Sequence, residues 1–296
     1  MHPTPDILCI GAVLWDIIGR TPRPMSPGDD VPGRITRLPG GVAMNIAATL
    51  RAQGLRPAVL TAIGEDVEGD GLIAAVTAQG IDTAFAYRSA LPTDRYMAIE
   101  GAGGLVAAIA DAHSLEEAGD AILAPLADGR LGTAAAPWSG PVALDGNLTT
   151  ALLTQIATST LFTSADLRVA PASPGKADRL APFLRHPSAT LYLNLAEART
   201  LGGNPYPDAP TAAAHLAAQG ANRLCVTDGP NPCGAHLDGT HHALTPPPVT
   251  VARITGAGDT FMAAHVAAER AGLTGAPALT RALDAAAAYI SGRTPC

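Results

Sequence analysis

The sequence predicts an α/β fold: a doubly wound, mostly parallel sheet with a small β appendage. Three observations predict it. From residue 141 onward, short apolar runs alternate with alanine-rich segments of helical length, the pattern of strands and crossover helices. Two glycine-rich loops, 40–41 and 256–258, each open such a segment. Residues 81–111 break the alternation with two short apolar stretches around the turn GAGG (101–104), the pattern of a hairpin.

In chain order, Ile7 to Ile10 reads as a buried first strand ended by Gly11. Residues 21–39, rich in Pro, Gly and Arg, read as loop or edge strand. GGVAMNIAATLRAQG (40–54) is a helix with glycines at both ends, PAVLTAIG (57–64) a strand, and Gly69 to Gly80 carries a helix. Next come strand PVALDG (141–146), helix 149–160, strand LRVAPAS (167–173), helix 175–185 and strand TLYLN (190–194), with a helix from Ala196. Helix 211–220, strand NRLCVTDG (222–229) and a helical pair at 258–271 and 277–291 complete the pattern. His241 and His242, between a glycine and a proline run, read as surface loop. Trp15 is either core or a ring placed to stack on a base.

The chain has 296 residues, enough for a sizeable core, and a net charge of −7 without a basic run, which argues against nucleic-acid or anionic-membrane partners. No apolar run is long enough to span a membrane, and the N-terminus has no secretory pattern. Cys9, Cys225, Cys233 and Cys296 form no CxxC pair and no zinc spacing, so free thiols in the cytoplasm are expected. Of 19 basic residues only Lys176 is a lysine, in a composition that otherwise favours arginine.

The most informative stretch is RITGAGDTF (253–261). Gly256, Ala257 and Gly258 lack bulk, so backbone N–H groups can converge on an anion at a helix N-terminus. Asp259 there is either a general base beside a phosphate or a first-turn cap. Gly40, Gly41 and Asn45 precede a second helix, where amides can approach a hydroxylated ligand and Asn45 both donates and accepts. Asp16 is either an acceptor for paired hydroxyls or a solvated turn acid. Asn194 and Glu197, at NxxE spacing, are either a helix cap or a pair in which Glu197 orders water around Mg²⁺.

Together these residues resemble the PfkB/ribokinase family of sugar and nucleoside kinases, in order along the whole chain, 1–296. Gly40, Gly41, Ala43, Asn45, Ala47, Gly54 and Gly64 match its N-terminal signature, and Gly256-Ala257-Gly258-Asp259 the core of its C-terminal one. Asn194 with Glu197, and Thr227 with Gly229, match its metal and nucleotide elements. The resemblance implies a ribokinase-like fold with a β lid from about 12–38 and 85–111, over which family members often dimerise. It implies ATP and Mg²⁺, with Asp259 as base, the 256–258 amides as anion hole, and adenine near Thr227, Gly229 and the 285–290 helix. Many members carry an Asp for a monovalent cation where this chain has Arg253, so weak or absent K⁺ activation is expected.

Three segments are similar to the pseudouridine kinase branch: TDRYMAIEGAGGLVAAIADA (93–112), VALDGNL (142–148) and VAPASPGKADRL (169–180). This implies pseudouridine as acceptor at its 5′-hydroxyl, with Thr93 and Asn147 joining the substrate side and Lys176 near the transferred phosphate. The alternatives are a ribokinase- or fructokinase-like sugar kinase, another nucleoside kinase, a vitamin-precursor kinase of the wider fold, or a degenerate sugar-binding homologue. The retained Asp259 speaks against the last.

Overall fold

The computed structural model describes residues 4–26 and 28–293. β1 (Ile7–Ile10) is four wholly buried apolar residues, as a strand covered on both faces requires. The chain then leaves the main sheet to form β2 (Leu14–Arg20) and β3 (Arg34–Gly40), an antiparallel pair. α1 (Val42–Ala52) starts at Gly41 and ends before the positive-φ turn at Gly54. The stretch 57–64 divides at Thr61 into β4 (Pro57–Leu60), in the main sheet, and β5 (Ala62–Gly64), which pairs with a later strand. α2 (Val67–Ala78) is capped by Asp66, which accepts the Gly69 N–H at 2.7 Å. β6 (Tyr87–Ser89) pairs with β5. β7 (Arg95–Gly101) and β8 (Gly104–Asp111) form the expected hairpin about the GAGG turn. A short helix, α3 (Ser114–Ala118), and a 3-10 stretch lead on to the second half.

That half alternates as expected: β9 (Pro141–Asp145), α4 (Thr150–Thr158), β10 (Asp166–Ala170), a 3-10 stretch Pro174–Phe183, β11 (Ala189–Asn194), α5 (Leu195–Gly202), α6 (Ala209–Ala218) and β12 (Arg223–Asp228). The α-helix expected at 175–185 is instead a 3-10 stretch, opened by Pro174 and with Pro182 near its end. β13 (Asn231–Leu237) and β14 (Thr240–Leu244) then form a hairpin whose turn, Asp238-Gly239, has positive φ at both residues. His241 and His242 therefore lie on an edge strand, not in a loop, and the His241 ring sits 4.5 Å from that of His236 opposite it. α7 (Ala257–Arg270) and α8 (Gly275–Ile290) end the fold.

The main sheet runs β14-β13-β12-β11-β10-β9-β1-β4, parallel from β12 to β4. A cluster including Leu8, Ile10, Leu144 and Leu167 covers one face; Ile7, Cys9, Val59 and residues of α1, α7 and α8 cover the other. The chain order reverses between β1 and β9, so a crevice opens there at the strands' carboxyl ends. The second sheet, β3-β2-β7-β8, occupies the segments expected of a lid. Trp15 is core: its Nε1 donates to the Glu68 carbonyl at 2.9 Å, and the Arg37 guanidinium lies 3.8 Å above its ring. Cys9, Cys225 and Cys233 are free and buried; Cys296 lies outside the described residues. Among the described residues no helix is long and apolar enough to cross a membrane.

Candidate active site

The crevice is built from the ends of β1 and β9. Gly11 follows β1 because a Cβ there would lie 2.3 Å from the Cβ of Asp145, the buried last residue of β9. The Asp145 carboxylate accepts the Ala12 N–H at 2.8 Å. The Ala12 carbonyl in turn lies 2.3 Å from where a Cβ on Gly41 would be, and Gly41 has φ +96. Any side chain at 41 would thus be both strained and blocked. Gly40 has a parallel reason: its Cβ would meet the Asp16 carboxylate at 2.0 Å.

One turn into α1, Asn45 donates from Nδ2 to the Oδ2 of Asp259 at 2.8 Å. This bond joins the two glycine-rich loops, and it forms because α1 packs against α7. Asp259 sits in the first turn of α7, behind Gly256 at φ +87. A Cβ on Gly256 would meet the Tyr289 hydroxyl at 2.6 Å, and that hydroxyl donates to the Thr255 carbonyl at 2.8 Å. A Cβ on Gly258 would meet nothing within 4 Å, so this part of the loop faces open space. Burial pushes the Asp259 carboxyl up to about 7, opposed by the Asn45 bond and reinforced by the charges of Asp145 and Glu197. Asp16 is pushed up to about 6, by burial alone. Carboxyls so shifted, Asp259 in the first turn of α7 and Asp16 beside Gly40 ahead of α1, suit proton transfer near neutral pH.

Lys176, in the first turn of the 3-10 stretch, donates from Nζ to the Asn147 Oδ1 at 2.7 Å. Asn147 donates its N–H to Asp145 Oδ1 at 2.7 Å, so both residues belong to the crevice. Asn194 and Glu197 form a reciprocal capping box at the start of α5. Their capping role is thus real, and Glu197 keeps a carboxyl pushed up to about 7 by burial. Thr227, the next-to-last residue of β12, has its hydroxyl 3.4 Å from the Leu193 carbonyl, and Gly229 turns the chain at φ +56. Thr93 stands apart: its hydroxyl and N–H both bond to Asp66, at 2.5 and 2.9 Å, and no contact ties it to Asp259. Arg253 stacks 3.7 Å over the Tyr289 ring and donates to the Tyr289 carbonyl at 2.9 Å.

Two members of this site were missing from the sequence-based set, Asp145 and Tyr289. An acid ending a buried apolar strand at a crevice was a usable signal for Asp145. Nothing local marks Tyr289, which reaches the loop only because α8 returns alongside α7. Among the described residues no three or more His, Cys, Asp or Glu gather as a metal-binding group. A divalent cation here would be held chiefly by phosphate oxygens and water, as Mg²⁺ usually is. The uncompensated Glu197 carboxyl, one of whose oxygens accepts the Asn194 N–H at 2.8 Å, fits an outer role toward it.

The family profile "pfkB family carbohydrate kinase" matches residues 4–295. The pseudouridine kinase of Escherichia coli is 26% identical over 274 residues, covering 87% of this chain and 81% of that protein. An uncharacterized sugar kinase of the same organism is 31% identical over 267 residues, covering 87% and 70%. Among solved structures, a carbohydrate kinase from Agrobacterium tumefaciens superposes with a TM-score of 0.78 at 26% identity, covering 95% of this chain and 89% of that one. Ribokinase of Arabidopsis thaliana, complexed with ribose and ATP, superposes at 0.74 with 19% identity, covering 97% and 93%.

Proposed function

The chain belongs to the pfkB family of carbohydrate kinases, ATP-dependent phosphotransferases that act on sugar hydroxyls, and from that premise we propose that it phosphorylates the 5′-hydroxyl of a nucleoside, with pseudouridine the leading acceptor. The observation that carries the reading is the 2.8 Å bond from Asn45 to Asp259, which sets a polar acceptor loop against a carboxyl poised near neutrality. The acceptor hydroxyl gives its proton to Asp259 as its oxygen attacks the γ-phosphorus. The new O–P bond forms, the bond to the bridging β,γ-oxygen breaks, ADP leaves, and the proton rests on Asp259. Backbone amides at 256–258 stabilise the charge that develops.

Asp16, Gly40, Gly41 and Asn45 take the acceptor's hydroxyls, with Asn147 beside them; Thr93, held by Asp66 at the start of α2, is left out of that set. Lys176 faces the transferred phosphate, and Asn194, Thr227 and Gly229 line the donor side. The adenine sits near Thr227, Gly229 and the 285–290 stretch of α8. Mg²⁺ supplies charge neutralisation at the phosphates, with Glu197 acting through water. The small sheet acts as a lid that keeps water from the γ-phosphate. Its exposed apolar side chains, Ile35 at 77% and Ile109 at 70% among them, fit a homodimer through the lid.

Pseudouridine rests on the segments 93–112, 142–148 and 169–180 and on the 26% identical relative of that name. The sugar kinase reading stands second, favoured by the 31% identical relative. A panel of pseudouridine, uridine, cytidine, adenosine, ribose and fructose with ATP·Mg²⁺ decides. The highest kcat/KM is expected for pseudouridine. Preference for ribose or fructose installs the second reading, and turnover of none, with ligand binding kept, leaves a sugar-binding homologue.

A further inference from the structure

We infer that Asp145 is a positioning residue for the phosphotransfer, anchoring both the acceptor loop and Lys176 relative to Asp259. The inference rests on the kinase reading above. Asp145 is fully buried and touches no open space, so it acts through others. Its two carboxylate oxygens accept three N–H groups: Ala12 N at 2.8 Å, Asn147 N at 2.7 Å and Asn147 Nδ2 at 3.2 Å. Burial raises the Asp145 carboxyl above its ordinary value, and the three donors, with the charge of Lys176, oppose that shift and favour the ionised form.

Each bond leads to a different side of the site. Through Ala12 it leads to the acceptor loop, because the Ala12 carbonyl abuts Gly41 and accepts the Met44 N–H at 3.4 Å, one residue before Asn45. Through Asn147 it leads to Lys176, held at 2.7 Å. The loop between is locked from outside by Arg179, whose Nη1 donates to the carbonyls of Gly146, Asn147 and Leu148 at 3.4, 3.3 and 3.1 Å. The charge of Asp145 also acts on Asp259 directly, as does that of Glu197 from α5, while Asn45 from α1 opposes them. Tyr289 faces the same carboxyl from α8, and Lys176 faces Asp145. A buried anion at the switch point thus serves two purposes: it fixes geometry on both banks and helps keep the base from ionising too early.

Asp145→Asn tests this. It keeps the shape, removes the charge, and turns one acceptor into a donor facing donors. The expected result is a loss of ~10–100-fold in kcat, a several-fold rise in KM for ATP through Lys176, and an acid limb of kcat/KM displaced to lower pH. A residue that merely supported the fold would lower the melting temperature and leave the acid limb in place. A folded Asp145→Asn protein with wild-type kcat and acid limb overturns the inference. Should that variant not fold, Asn147→Ala removes the link to Lys176 together with the Nδ2 bond to Asp145 and keeps the backbone N–H bond: a raised KM for ATP supports the inference, and an unchanged one overturns it. A wild-type protein inactive on every acceptor of the panel instead overturns the kinase reading itself.

Discussion

On the acceptor bank of the crevice, the bonds that matter join residues far apart in the chain: Asn45 to Asp259 across 214 positions and Ala12 to Asp145 across 133. On the proposed donor bank they span fewer positions. Asn194 and Glu197 cap each other three residues apart, and Thr227 reaches only Leu193 on the neighbouring strand. The first bank is assembled by folding itself, before any ligand arrives. The second presents helix caps and strand ends, which under the proposed function would meet the nucleotide. Substitutions on the acceptor bank should therefore appear in kcat, and those on the donor bank in KM for ATP.

The largest effect is expected at the junction. Asp259→Asn should lower kcat by ~100-fold or more, with acceptor binding by calorimetry retained. Unchanged turnover removes Asp259 as base. The same variant should be more stable than wild type at pH 8. The folded carboxyl titrates near 7 against an ordinary value of 3.8, so the folded state holds the proton more tightly than the unfolded one. Stability then falls as pH rises from ~4 to ~7, and an amide escapes that loss. Thermal unfolding at pH 5 and pH 8 should show the larger gain at pH 8.

Asn45→Ala comes next, at ~10–100-fold in kcat. Its bond is the contact that favours the ionised Asp259, so its removal should carry the acid limb of kcat/KM above its wild-type position near pH 7. This is opposite in direction to Asp145→Asn, and the pair of shifts distinguishes hydrogen bonding from charge. An acid limb that does not move in Asn45→Ala would mean that the bond between the banks is not the one that sets the base.

The difference between the banks also explains what was legible in the sequence. The alternation from β9 to β12 was readable because each strand is a buried apolar run and each helix is rich in alanine. Gly40, Gly41, Gly256 and the capping pair Asn194 and Glu197 were readable because each stands at a helix start, where small residues and caps recur, although the groups that crowd the glycines, Asp16, Ala12 and Tyr289, lie far along the chain. Asp145 stood in view at the end of PVALD, yet its role arises from Ala12, which only the parallel pairing of β1 with β9 brings within reach. Tyr289 was hidden for the same reason. The hairpin β13–β14 was legible in its Asp-Gly turn, but the flanking prolines masked the strands, and His241 was separated from its partner His236. Thr93 matched a pattern by sequence, and its bonds to Asp66 place it at the base of the small sheet.

A smaller effect is expected on the donor bank. Lys176→Arg keeps the charge but replaces a compact ammonium by a planar fork. The Nζ that now donates to Asn147 at 2.7 Å would be replaced by a longer group. KM for ATP should rise several-fold with kcat changed less, and steady-state kinetics at saturating acceptor measures both. Wild-type constants would return Lys176 to an ordinary surface lysine at a helix start.

The smallest effect is expected from potassium. Arg253 stands where many family members carry a cation-binding Asp. Its guanidinium lies 3.7 Å over the Tyr289 ring and its Nε donates to the Tyr289 carbonyl at 2.9 Å. A guanidinium has donors only, so it offers K⁺ no ligand and repels it. Tyr289 in turn reaches Thr255, beside the anion loop, at 2.8 Å. Titrating KCl against NaCl at constant ionic strength should leave kcat and KM unchanged, whereas activation of several-fold specific to K⁺ would show that backbone carbonyls of the loop bind the ion despite Arg253. Arg253→Asp sharpens the comparison: if the arginine has replaced the cation, this variant should lose activity in NaCl and regain part of it in KCl.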